Sequence, residues 1–310
     1  MQLSDLGSSL RGRHFTVYFA LMAASLLFGW RAFCETITLA WQNDKYTHIL
    51  LILPLSLLMI LVERRLLRTD SSWALRQGST LVLGAIVIAC SSWIYSASLT
   101  VDVLLACRMF ALVLCWVGSF VLCFGPKPSG QLIFPSLFLF GLVPLPKITL
   151  DYVVALLQIG SAWSAHAFFA VLGVPVFQQG VLLTIPGLTV QVAQECSSIR
   201  SSSMLFVTAM VMAQILLCSF WRKALIAVLA IPLSVLKNGL RIFVIATLGT
   251  RVDPGYLTGR LHHQGGALFF AIALAVTVVL LWMLRKGEHS APASRLEPVN
   301  GPATKKVIAG

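Results

Sequence analysis

Cys196, Arg241 and the adjacent pair His262 and His263 are the side chains in this sequence that could together carry out acyl transfer. Cys196 stands in the polar stretch QECSSIRSSS, directly after Glu195 and four residues before Arg200. A thiol with its ordinary pKa of about 8.5 is mostly protonated at neutral pH, and a neighbouring imidazole or guanidinium favours the thiolate. A histidine can then hand a proton to a departing amine. An arginine, always charged, can hold an oxyanion. Lys237, Asn238 and Arg241 fall late in one apolar run, where a charge is costly and is usually functional or paired.

Each of these residues also has a plainer reading. Cys34 and Cys196 could form an extracytoplasmic disulfide. Arg241 could make a structural ion pair with Glu195 or Asp253, and the two histidines could be ordinary loop residues. Cys90, Cys107, Cys115, Cys123 and Cys218 lie in apolar runs and read as small hydrophobes. The seven cysteines contain no CxxC pair, and no carboxylate or cysteine stands at ligand spacing around the histidines. Neither a metal nor a cofactor is therefore expected.

The elements that must bring these residues together are membrane helices. Of 310 residues 58% are hydrophobic and 11% charged, and mean hydropathy is +0.87. A soluble domain cannot hide that much apolar surface. The net charge of +12 would suit nucleic acid, but the charges sit in short loops between apolar runs. That is the pattern of a chain whose Lys and Arg mark cytoplasmic loops in a lipid bilayer, so no nucleic-acid partner is expected.

Apolar runs fall near 15–33, 47–63, 79–99, 103–124, 132–145, 151–174, 202–220, 224–248 and 265–284. The basic clusters at Arg11 and Arg13, from Arg64 to Arg76, at Lys127, at Arg222 and Lys223, and from Arg285 onward must share the cytoplasmic side. That requires a single crossing between residues 128 and 200. Asp151, Gln158, Ser161 and His166 put a polar stripe on the run at 151–174. It is therefore assigned to the outer interface, or to packing among the other helices, and the short run at 132–145 becomes the crossing. The expected fold is all-α: a polytopic membrane bundle of about eight transmembrane helices with N-terminus and C-terminus cytoplasmic. Residues 1–286 form the transmembrane domain, and 287–310, rich in Pro, Ala, Ser and charge, a disordered cytoplasmic tail. The first run lacks a small-residue cleavage site and is expected to be retained. In this topology Cys196, Arg241 and the histidines all reach the outer layer.

An ordered series of short motifs runs through residues 135–270. It comprises PLP at 144–146, LLQ at 156–158, GVPV at 173–176, PGLTVQVAQECSSIRSS at 186–202, NGLRI at 238–242 and HHQGGALFF at 262–270. With WQNDKYTH at 41–48, which ends in His48, the series resembles the exosortase/archaeosortase family of membrane cysteine transpeptidases. The resemblance implies that Cys196 is the nucleophile, Arg241 the arginine that stabilises oxyanion or thiolate, and a histidine the proton-transfer partner. The family's spacing of His, Gly four on and Phe four further fits His262, Gly266 and Phe270, with His263 the alternative. Arg200 would be a second site arginine. Asn238, Glu195 and His48 stand in the same motifs as supporting residues. The sequence departs from the pattern at Ser198, where the family usually carries glycine.

The resemblance also implies a substrate class: membrane-tethered secreted proteins with C-terminal sorting tails of the PEP-CTERM-like kind. These are cut near a short motif and passed to an acceptor at the outer face, in the bacterial inner membrane with the active site toward the periplasm. Two rival classes remain. Arg108, Lys237 and Arg241 could line the anion path of a transporter, or the protein could be a scaffold for exopolysaccharide export. Against a transporter, the two halves show no repeat and the polar residues gather in one outer layer.

Overall fold

The apolar runs become helices in the computed structural model of the chain, which describes residues 3–62, 73–125, 129, 132–192, 199–257 and 266–289. The described helices are α1 (Leu3–Gln42), α2 (Ile49–Val62), α3 (Leu75–Ile94), α4 (Val101–Phe124), α5 (Ile133–Phe138) and α6 (Lys147–Val171). After a small sheet come α7 (Ile199–Leu216), α8 (Phe220–Arg251) and α9 (Gly266–His289). The all-helical, polytopic class is as expected. Among the described residues eight helices are long and apolar enough to cross a membrane; α6 is among them, and the helical stretch Ile133–Leu142 is shorter.

Polar contacts distinguish the two ends of the bundle. At one end Arg200 pairs with Asp44 at 2.9 Å, and the Tyr46 hydroxyl donates to the Leu145 carbonyl at 2.8 Å. The Asp102 carboxylate there accepts from the Lys147 amide at 2.7 Å and so caps α6 from another helix. From this end α4 and α7 both run to the opposite one, where His14 Nδ1 donates to the Cys123 carbonyl at 2.6 Å. There the Glu288 carboxylate also accepts from the amides of Cys218, at 3.0 Å, and Ser219, at 2.8 Å, ahead of α8. Arg222 returns the favour, donating to the last carbonyls of α9 at Leu284 (2.8 Å) and Gly287 (3.0 Å). An anion thus faces one helix N-terminus and a cation the neighbouring C-terminus, as the helix dipoles favour. Gly287 and Glu288 are helical, so α9 continues past the boundary that composition drew at 287. The stretch 290–310, expected as a disordered tail, lies outside the described residues.

These contacts bear on the two runs that compete for the fifth crossing. Leu132 packs in a cluster with Phe120, Cys123 and Phe124, at the Arg222 end. Leu145 lies under Tyr46, at the Asp44 end. Six α-helical residues, the 3-10 turn Leu139–Leu142 and the extended residues 143–146 join the two. Together they rise about 30 Å, the thickness of a hydrocarbon core. By contrast α6 starts at Asp102 and bonds through Ser161 to Asn238, next to the residue that ties α8 to the first turn of α7. Both points belong to the Asp44 end, and beyond Ser161 α6 runs alongside the last turns of α8, with Ala165 packed against Ile242 and Phe169 against Ala246. Ile148, Tyr152, Leu156, Ile159 and Trp163 form an exposed apolar stripe on one of its faces. Its polar stripe turns inward, with Gln158 donating to the Val192 carbonyl at 3.0 Å. An interfacial helix presents this division of faces.

Between α6 and α7 lies a meander absent from the helical expectation: β1 (Phe177–Gln179), β2 (Leu182–Ile185) and β3 (Leu188–Gln191), antiparallel in that order. Pro186 and Gly187, the latter at φ 82°, form the tight β2–β3 turn. The sheet packs its Leu183 with Ala162, Ala165 and Ile242, and its Ile185 with Phe169 and Ala246. It therefore wedges α6 against the last turns of α8.

Candidate active site

Three consecutive residues fix α8 to its neighbours one turn before Arg241. Lys237, only 6% exposed, donates from Nζ to Ser201 Oγ in the first turn of α7. Asn238, buried, donates from Nδ2 to Ser161 Oγ of α6 at 2.9 Å, and Ser161 donates onward to the Leu157 carbonyl at 2.6 Å. Gly239 lies so close to α6 that a Cβ there would overlap the Ser164 side chain and stand 2.9 Å from the Ala165 amide nitrogen. Helices in lipid approach this closely only where a small residue lets them. One segment, KNG, is thus clamped on two sides.

The clamp sets where Arg241 stands. Residues four apart on a helix share a face, so half-buried Arg241 lies above Lys237 on the side of α8 that looks toward α7. α7 and α8 run antiparallel, with Lys223 Nζ bonded to Gln214 Oε1 at 2.8 Å at one end and Lys237 to Ser201 at the other. From the Arg222 clamp to Arg241 α8 rises about 30 Å, and α9 rises about as far from that clamp to its first residue, Gly266. The start of α7, the start of α9 and Arg241 therefore share one end of the three-helix group.

The other expected site residues fall as follows. Arg200 is in the first turn of α7, engaged with Asp44 in an exposed ion pair with side chains 56% and 77% accessible, an arrangement worth at most about 1 kcal/mol. His48 follows the Asp44–Tyr46 turn at the same end, and its Nδ1 is buried with no hydrogen-bond partner among the described residues. Asn238 Oδ1 and Ser164 Oγ are likewise buried and unpartnered among those residues, leaving polar capacity beside Arg241. Glu195, Cys196, Ser198, His262 and His263 lie outside the described residues. Cys34 is a free thiol among the described residues, and the Cys196 end of the alternative disulfide lies outside them. Among the described residues no group of three His, Cys, Asp or Glu side chains stands ready for a metal ion.

Sequence reasoning overlooked two features that position the site. Ser201 carried no signal of its own, and its link to Lys237 joins residues 36 apart in the chain. The sheet did leave a trace in FQQGVLLTIPGLTVQ: alternating β-branched residues broken by two glycine turns.

No curated protein and no solved structure matches the chain. A sequence profile of the family described as transmembrane exosortase (Exosortase_EpsH) does match, over residues 41–279. That span takes in the segment ending at His48, the cysteine motif, the clamped α8 segment with Arg241, and the histidine motif. On that match, the chain belongs to the transmembrane exosortase family.

Proposed function

We propose that this protein is a membrane cysteine transpeptidase or protease that cleaves C-terminal sorting tails of secreted proteins through a thioester on Cys196. The observation that supports this reading is the tie between Lys237, one turn before Arg241, and Ser201, five residues after Cys196 in the chain. A guanidinium close to the thiol can favour the thiolate and then hold the oxyanion.

In the proposed reaction, His262 takes the thiol proton of Cys196 as the sulfur attacks the carbonyl carbon of the scissile bond. Arg241 holds the negative oxygen of the tetrahedral intermediate. The carbon–nitrogen bond breaks, His262 returns its proton to the departing amine, and the acyl group remains on sulfur. An acceptor carrying O–H or N–H then attacks the thioester, gives its proton to the histidine and releases the thiolate. A substrate whose tail is itself a membrane helix can approach laterally in the lipid. Arg13, Arg76, Arg222, Lys223, Arg285 and Lys286 all belong to the Arg222 end, which on charge is cytoplasmic. The site end then faces the periplasm of a bacterial inner membrane.

The test is a cell carrying Cys196→Ala or Arg241→Lys, probed for full-length tail-bearing proteins. Both variants should accumulate uncut substrate at normal membrane abundance of the enzyme, lysine failing because it lacks the planar multi-donor fork. Normal processing by both would leave a transporter or a scaffold as the better reading.

A further inference from the structure

We infer that Lys237 is a positioning residue of this site, acting through Ser201 to hold the first turn of α7 against the helix that bears Arg241; this rests on the acyl-transfer reading above. Lys237 is 6% exposed in a membrane helix, and an ammonium is an expensive way to fill such a position. A methionine or leucine would pack as well. It is also a like charge one turn from Arg241, which further disfavours it. What only the ammonium supplies is a donor, and it is directed at Ser201 Oγ.

The chemistry of that bond has a direction. An ammonium can only donate, so Ser201 Oγ is the acceptor and its own hydrogen is left to donate elsewhere. A hydroxyl that accepts from a cation is a stronger donor, since charge-assisted bonds polarise their partners. Ser201 is in the first turn of α7 and five residues after Cys196 in the chain. Asn238 and Gly239 fix α8 to α6 at the next two positions. Lys237 therefore supplies the link to α7 that those contacts do not. Without it α8 stays anchored to α6 and α7 keeps its link from Gln214 to Lys223 at the far end, while the first turn of α7 loses its tie to the helix that bears Arg241.

The full-length protein in proteoliposomes, with a tail-bearing substrate, tests this through Lys237→Met, Ser201→Ala, the double variant and Ser201→Thr. Each of the first two should lower kcat by about tenfold to a hundredfold, the scale of a misplacement near 1 Å, with KM within about twofold. The double variant should be no worse than either single one, because one link is broken once. Ser201→Thr keeps the hydroxyl and should recover most of the rate. Alkylation of Cys196 by iodoacetamide, followed on its own peptide by mass spectrometry, should slow at neutral pH in Lys237→Met. If Lys237→Met does not accumulate, Ser201→Ala and Ser201→Thr carry the comparison. Wild-type kcat and alkylation in Lys237→Met or Ser201→Ala, or fully additive losses, would overturn the inference while Cys196→Ala stays dead. An active Cys196→Ala beside a dead Ser201→Ala would make Ser201 the nucleophile and overturn both readings.

Discussion

Replacing Gly239 by alanine adds one methyl group at the tightest point between α6 and α8. The new carbon would overlap the Ser164 side chain and stand 2.9 Å from the Ala165 amide nitrogen, where nonbonded contacts settle near 3.5–4.0 Å. Ser164 can turn aside, but Ala165 N is backbone, so the helices must part by roughly 1 Å. Overpacking of this kind costs about 1–3 kcal/mol. The same separation lengthens the 2.9 Å bond from Asn238 to Ser161 and carries Arg241 away from its level, for which a hundredfold loss in rate is the expected scale. Thermal unfolding in detergent and single-turnover cleavage of a tail-bearing substrate measure the two effects separately. Adding Ser164→Gly should recover part of the stability by removing the flexible half of the clash. Gly84→Ala in α3, whose new methyl would meet only Leu114 Cδ2 at 3.9 Å, should leave both readings unchanged. A Gly239→Ala protein with wild-type melting and cleavage would refute the claim that this contact sets the site.

Two further outcomes follow from the assignments above. A cysteine placed at Val181 or Gly255 should react with a membrane-impermeant thiol reagent in intact cells, whereas one at Arg76 or Lys223 should not; reaction at 223 but not at 255 would reverse the orientation and separate the site from a periplasmic substrate. His262→Ala should lose about a hundredfold or more of the cleavage rate, the usual scale for a general acid–base, and His263→Ala far less. The reverse result would move the role to His263, and retained activity in the double variant would remove histidine from the mechanism.

Much of this protein is legible in one dimension. Hydropathy and the placement of Lys and Arg define a polytopic bundle because burial in lipid is a property of each run by itself. The order of the cysteine, arginine and histidine motifs likewise marks the family without any coordinates. The polar stripe Asp151, Gln158, Ser161 and His166 was enough to single out α6, since amphipathicity is read from spacing alone. What it could not show was that Ser161 meets Asn238, or that the ten-residue Ile133–Leu142 helix gains the rest of its crossing from extended residues at the PLP motif. Lys237 could be read as an intramembrane cation with a transporter's role as readily as an enzyme's, until Ser201 was found beneath it. Gly239 carried no sign that α6 passes within a methyl's width. Each of these depends on a residue tens of positions away, brought close by helix packing. The sequence by itself therefore determined the class, the family and the candidate chemistry. The tertiary structure decided the register that sets Arg241 against the start of α7, because register is a relation between helices and no single helix contains it.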